Sequence, residues 1–385
     1  MRDYFKTGEP IHFVFPIDGD CLNIYDGSMK KGYLTIPVKV EAPDDADIYI
    51  NEEKAEFDGK YYVLEVALKS YRNVISACNK KDGYETDIAV YKLEDCVDRY
   101  RISLDDNILF LADLTKNKDV YQSMFENPYL RIFKEAHDLY GAKIHINIYY
   151  EYCDKEEDRN TFSAPRPYFN LTMMTDRFKE EWKANADWLK LSFHARSNHP
   201  NAPYKYATMK QVEEDIDLVH REITRFAGAE SLSPVTTLHF GDTTRGGARA
   251  LRNRGYRGQN AFIRKDDSGV NYYPEQLVKY ELGRDFWVDN ETHIVHSNVD
   301  LILNCYKLEE IVPLLEEIYK DKHRAGFLEL LIHEQYFYPD YSRYIPEYAQ
   351  IVLTVAKWAA EHGYRGALMS EVMFEKLRSN DLPQY

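Results

Sequence analysis

Alternating apolar and polar positions dominate the first hundred residues. Segments 11–15, 33–40 and 61–68 place branched and aromatic side chains at near-alternate positions, as strands with one buried face do. Asp58-Gly59 and Asp82-Gly83 supply turn residues between such runs. No long 3.6-residue period interrupts them. The pattern predicts a small all-β sandwich over residues 1–100.

From residue 101 strands alternate with helices. Leu130, Phe133, Ala136, His137 and Tyr140 share one helix face, and Gly141 is placed to end that helix. Residues 143–150 then read as a strand. Thr208 and Gln211 are spaced as a capping box for a helix striped by Val212, Ile216, Val219, Ile223 and Phe226. Further helices are predicted near 308–320 and 347–362, with a strand at 327–332 between them. Repeated strand-then-helix units over about 280 residues predict an α/β fold with a parallel sheet closed as a (β/α) barrel over 101–385. Catalytic groups of such barrels sit at the C-terminal ends of strands, where Asp105, Asp106 and His333 fall.

Ser103-Leu104-Asp105-Asp106-Asn107 follows the strand-like run 99–102 and precedes the apolar run 108–111. Two adjacent carboxylates repel, so burying both needs a proton or a cation between them. A lone acid pair is more often a solvated turn; a metal site in which one acid binds and the other handles protons is the alternative. His194 and His199 follow the apolar run 189–193. Their i, i+5 spacing does not put both rings on one helix face, but a turn can make them converge. His333, at the tip of strand 327–332, is placed to act as a general acid, or else only shapes its loop. Asp18-Gly19-Asp20 and Asp26-Gly27 lack the order of a calcium loop and read as turns, although such a loop can also reach a neighbouring active site. Trp182, Trp188, Trp287 and Trp358 lie in core patterns. Tyr336, Phe337, Tyr338 and Tyr341, beside His333, are candidates for stacking on a sugar ring.

Composition narrows the partners. A formal net charge of -15 over 385 residues disfavours nucleic acid and anionic lipid. Aromatic residues make up 14% of the chain, with 32 tyrosines, which suits sugar surfaces but also ordinary packing. Five scattered cysteines without a CxxC pair indicate neither a disulfide framework nor a cysteine metal site. Residues 1–6 open no signal-peptide run, and no stretch reaches the ~18 apolar residues of a membrane span. A cytoplasmic protein is the expectation.

Taken in order, these segments resemble the NodB-homology, or polysaccharide deacetylase, superfamily. Residues 103–107 stand where that family has T-F-D-D-G. His194 through His199-Pro200 stands for its H-[ST]-x-x-H, and Leu331-Ile332-His333 for its closing L-x-H. Leu238-His239-Phe240-Gly241, followed by the run 248–256 ending in Gly255-Tyr256, stands for R-P-P-x-G. The N-terminal region resembles the immunoglobulin-like accessory domains of carbohydrate-active enzymes. The resemblance implies a metal-dependent hydrolase removing N- or O-linked acetyl groups from a carbohydrate. It implies Asp105 as base, His333 as acid, Asp106 and His194 as metal ligands, and zinc, or else cobalt, nickel or manganese, as the ion.

Three departures from the family pattern matter. His199 lies one residue too far along, so the further imidazole ligand is either His199 or His239, with His199 preferred because Pro200 follows it. Asn107 replaces a glycine, which its tolerance of left-handed backbone allows. The arginine that orients the base is missing, and Arg245 is the nearest substitute. Two rival functions stand beside the deacetylase: a barrel glycosidase using Asp105 and Glu334 without metal, and a carbohydrate-binding homologue without activity.

Overall fold

The computed structural model describes residues 9–152, 162–261, 277, 280 and 283–375. Residues 1–6 and Cys153 lie outside them. Along Tyr33–Glu41 the side chains of Leu34, Ile36, Val38 and Val40 are buried, and the strand pairs antiparallel with Tyr62–Leu68, from Leu34 opposite Leu68 to Val40 opposite Tyr62. These strands belong to one five-stranded sheet. A second five-stranded sheet is built on Arg72–Asn79 and Glu85–Lys92. Inner-face residues of both, including Ile36 and Val38 from one and Ile48, Ile75 and Val90 from the other, close a single apolar core.

The remainder is α/β. Arg99–Asn107 lies between Ile144–Tyr152 and Phe327–His333, and Leu189–Ser197 pairs with Ile144–Tyr152; all of these pairings are parallel. A separate sheet carries Val235–Thr236, Gly258–Ala261 and Ile294–Asn298 in parallel, with Phe286–Asp289 antiparallel at its edge. The two sheets meet through a bridge between Leu191 and Leu232 and through the Ser192 hydroxyl, which donates to the Val235 carbonyl at 2.9 Å.

Helices Pro128–Tyr140, Met209–Phe226, Leu308–Tyr319 and Tyr348–Glu361 bury their apolar stripes in the large core that covers these strands. Their ends follow local chemistry. Asn127 accepts from the N–H groups of Tyr129 and Leu130, and Gly141 closes the same helix in a left-handed conformation at φ 67°. Thr208 caps Gln211 N–H at 3.2 Å. All four tryptophans are buried. No described helix is long and apolar enough to cross a membrane.

Alternation turns Arg101, His145 and Glu329 to the same buried side of neighbouring strands. The Arg101 guanidinium pairs with the Glu329 carboxylate and donates to His145 Nδ1. Asn260, from the other sheet, donates to Glu329 Oε1 at 2.8 Å. Burial, reinforced by Arg101, holds His145 well below its ordinary pKa, so its neutral ring accepts from the guanidinium. Such a pair offsets its desolvation only when fully bonded, and this one spans both sheets directly beneath the strand tips.

Asp18-Gly19-Asp20 neither forms a calcium loop nor reaches the strand tips. It joins the N-terminal sheets to the α/β part. Gly19 N–H donates to Ala89 O and Gly19 O accepts from Val288 N–H, each at 2.8 Å, while Trp287 Nε1–H donates to Asp18 O at 2.9 Å. Gly19 is required here: its φ is +91°, and a Cβ would lie 2.1 Å from Val288 O. Asp26 pairs with Arg284 at 2.7 Å in the same junction.

Candidate metal centre

Neighbouring residues of a strand point to opposite faces, so Asp105 and Asp106 would diverge in a regular strand. The strand does not end before them, as the sequence suggested, but continues to Asn107. Instead Asp106 adopts φ +64°, and pairing with Ile144–Tyr152 shifts register between Leu104 and Asn107. This irregularity re-aims Asp106 toward His194 and His239. The left-handed residue is therefore Asp106, not Asn107. Asn107 donates to Asn147 O at 3.0 Å and accepts from the Tyr129 hydroxyl at 2.8 Å.

Three side chains from distant points converge. Asp106 Oδ1 lies 3.1 Å from His194 Nε2 and 3.1 Å from His239 Nδ1, and the two nitrogens are 3.2 Å apart. Bonds of about 2.0–2.1 Å to one tetrahedral zinc ion put its ligand atoms about 3.3 Å apart. The triangle has that size. His194 lies inside strand Leu189–Ser197, and His239 reaches it because its backbone N–H donates to His194 O at 3.1 Å. His194 Nδ1 is held on the Thr237 carbonyl at 2.5 Å, which places the hydrogen on that nitrogen and turns Nε2 toward Asp106. Two acceptors that close need a proton or a cation between them, so the donor set fits a divalent ion.

The charges agree. Burial opposes ionisation of Asp106, but His239, His194 and His333 outweigh it and hold the carboxyl well below the usual range. Burial also opposes charge on His194, yet Asp105, Asp106 and the Thr237 carbonyl raise its pKa. At His239 burial prevails over Asp106, and its pKa falls. The ionised Asp106 thus favours positive charge beside it.

Asp106 Oδ2 accepts from Gln335 Nε2 at 2.8 Å, and its Oδ1 accepts from the Tyr149 hydroxyl. Asp105 Oδ1 accepts from Asn147 Nδ2 at 2.7 Å, while Oδ2 is buried with no hydrogen-bond partner among the described residues. Burial pushes the Asp105 carboxyl up, against the pull of His194 and His333. His333 stands in register with Asp105 on the adjoining strand, and Asn304 Oδ1 accepts from its Nδ1 at 2.8 Å, which leaves Nε2 for other work.

Several expectations change. His199 lines the cavity over the site but is not in the three-residue cluster, where His239 stands instead. Arg245 pairs with Glu291, and Asn147, not an arginine, meets Asp105. Glu334 caps the helix Leu109–Lys116, which has no side-chain cap of its own. It accepts from the N–H groups of Ile108, Leu109 and Phe110 at 2.7, 2.9 and 2.6 Å and from the Tyr338 hydroxyl at 2.7 Å. Burial pushes its carboxyl up to about 7 in spite of these donors. Committed to that cap, it is not the second acid of a glycosidase. Of the aromatics after His333, Tyr341 lines the cavity, whereas Phe337 packs on Tyr129 and Tyr348.

The cavity holds about 240 Å³ and is walled by Asp106, Tyr149, His239 and Gln335 together with Tyr152, Phe162, Phe240 and Tyr341. Neither Asp105 nor His333 is among the described residues that line it. Sequence reasoning missed Asn147 and Tyr149. Their signal was present, since His145, Asn147 and Tyr149 alternate with Ile144, Ile146 and Ile148, a strand whose inward side is polar.

No family model and no curated protein matches the chain. Among solved structures it is similar to a protein from Mycobacterium smegmatis assigned as a polysaccharide deacetylase. Identity is 11% and the TM-score 0.43, over 71% of this chain and 87% of that one. A peptidoglycan N-acetylglucosamine deacetylase is similar at 10% identity and a TM-score of 0.37, over 73% and 91%. A CE4 family pseudoenzyme from Bacillus anthracis is similar at 12% identity and a TM-score of 0.33, over 83% and 77%. At these identities the chemistry has to be argued from the residues of the site.

Proposed function

We propose that the chain is a divergent NodB-type (β/α) barrel, residues 101–385, behind an immunoglobulin-like sandwich, residues 1–100. In this reading it is a metal-dependent hydrolase that removes an N- or O-linked acetyl group from a carbohydrate. The observation that carries the proposal is the triangle of Asp106 Oδ1, His194 Nε2 and His239 Nδ1, 3.1–3.2 Å on each side, next to Asp105. Two imidazoles and a carboxylate favour zinc, and accept cobalt, nickel or manganese.

A divalent ion held there would supply a water of lowered pKa and a polarised acetyl carbonyl. Asp106, His194 and His239 would hold it, and Gln335 on Oδ2 keeps Oδ1 of Asp106 turned inward. Asp105, oriented by Asn147 through Oδ1, has Oδ2 left to take the proton of the attacking water. His333, with Nδ1 committed to Asn304, delivers a proton to the departing amine or alcohol from Nε2. Tyr152, Phe162, Phe240 and Tyr341 give the cavity aromatic faces suited to a sugar ring.

Binding of a carbohydrate without turnover is the second reading. It is favoured by one observation, the absence of Asp105 and His333 from the described cavity wall. Elemental analysis of the full chain, with acetate release from acetylated sugars, separates the two. The proposal expects one ion per chain, activity abolished by chelator, loss of the ion in Asp106→Ala, and an ion without activity in Asp105→Asn. An ion retained by Asp106→Ala but lost from Asp105→Asn refutes the roles. Acetate release that survives the chelator refutes the metal.

A further inference from the structure

Tyr149 has no role in the hydrolysis proposed above, yet it stands against the metal triangle. It lies near the end of strand Ile144–Tyr152, where pairing with Leu189–Ser197 shifts register between Ile148 and Tyr149. The ring lies beside both imidazoles, with centroids 5.2 Å from His194 and 5.3 Å from His239. The side chain is 2% exposed. Its hydroxyl donates to Asp106 Oδ1 and lies 3.0 Å from His239 Nδ1.

We infer that the phenol oxygen of Tyr149 is a fourth protein ligand of the ion held by Asp106, His194 and His239. The three ligand atoms are 3.1–3.2 Å apart, and the phenol oxygen adjoins two of them: it is hydrogen-bonded to Asp106 Oδ1 and stands 3.0 Å from His239 Nδ1. With His239 in the tautomer a metal ligand needs, its Nδ1 is an acceptor like Asp106 Oδ1, and the one phenol proton reaches only one of them. As a ligand the phenol gives that proton to solvent when the oxygen–metal bond forms, and both neighbours then face the ion. The consequence for the hydrolase is that water or substrate enters by displacing Tyr149, or by adding a fifth ligand beside it. A three-ligand centre has its fourth position open from the start.

The inference rests on the metal reading proposed above, and copper loading separates the two. The full chain is stripped with chelator, loaded with one equivalent of copper(II), and examined for the visible charge-transfer band of a phenolate–copper bond. The expected result is one bound copper with that band in the wild-type protein. Tyr149→Phe should bind copper about tenfold or more weakly and, at saturation, lack the band. Tyr152 also lines the cavity, so Tyr152→Phe is the control and should keep the band. Copper bound by the wild-type protein without the band overturns the ligand role and leaves the metal centre standing. A band that persists in Tyr149→Phe does the same. Failure of the wild-type protein to take up copper overturns both.

Discussion

Replacing Asn147 with alanine removes the one described hydrogen-bond donor to Asp105 and leaves both acids in place. Asn147 Nδ2 donates to Asp105 Oδ1 at 2.7 Å in a region with almost no solvent exposure. A hydrogen bond to a charged group contributes about 1.5–3 kcal/mol, and one pKa unit corresponds to about 1.4 kcal/mol. Losing a donor disfavours the ionised carboxylate, so the Asp105 pKa, already raised by burial, rises by a further ~1–2 units. If Asp105 is the base, the acid limb of kcat/KM for acetate release moves to higher pH by that amount, and activity well above the limb is largely kept. The assay is the pH profile of both proteins at saturating metal. Metal content is measured alongside, because Asn147 Oδ1 also accepts from Thr237 N–H at 3.1 Å and the Thr237 carbonyl orients His194. An acid limb that stays put while the rate falls equally at every pH refutes the assignment of Asn147 as the group acting through Asp105.

Two further outcomes test the frame around the site. Gly19→Ala forces a side chain into φ +91° with its Cβ 2.1 Å from Val288 O; left-handed strain of ~1–2 kcal/mol and overpacking of ~1–3 kcal/mol predict a protein ~2–5 kcal/mol less stable. Urea unfolding followed by tryptophan fluorescence measures this, and an unchanged midpoint removes the junction role given to residues 18–20. Glu334→Gln at pH 6 puts an amide NH2 where an oxygen accepted from Phe110 N–H, with an expected loss of about 1–3 kcal/mol and acetate release per folded molecule retained. Lost activity at unchanged stability would return Glu334 to the chemistry.

What was legible in the sequence was local. Helix Pro128–Tyr140 carries its stripe, its Asn127 cap and its Gly141 stop within fifteen contiguous positions, and it forms where that chemistry puts it. The sheet of Val235–Thr236, Gly258–Ala261, Ile294–Asn298 and Phe286–Asp289 carries no such signature. Strands of two to five residues are too short to establish a period of two. Arg101, His145 and Glu329 were illegible for another reason: they lie in three separate segments, and only the register of three strands makes them a bonded cluster.

The site divides along the same line. Residue types and motif order were enough to single out Asp105, Asp106, His194 and His333. Choosing between His199 and His239 required a contact 45 residues apart in the chain, the hydrogen bond from His239 N to His194 O. Following proline favoured His199; the neighbouring strand favoured His239, and the neighbouring strand prevailed because it fixes both imidazoles against one carboxylate. The same dependence explains the arginine that was expected and did not come. A base needs a donor held at hydrogen-bond distance, whatever residue provides it, and a strand with a polar inward side already presents Asn147 to Asp105. The family pattern names residue types, whereas the chemistry asks for a position. The inward positions of strands next to a candidate acid are where replacements are to be sought, and Tyr149 occupies the next such position after Asn147.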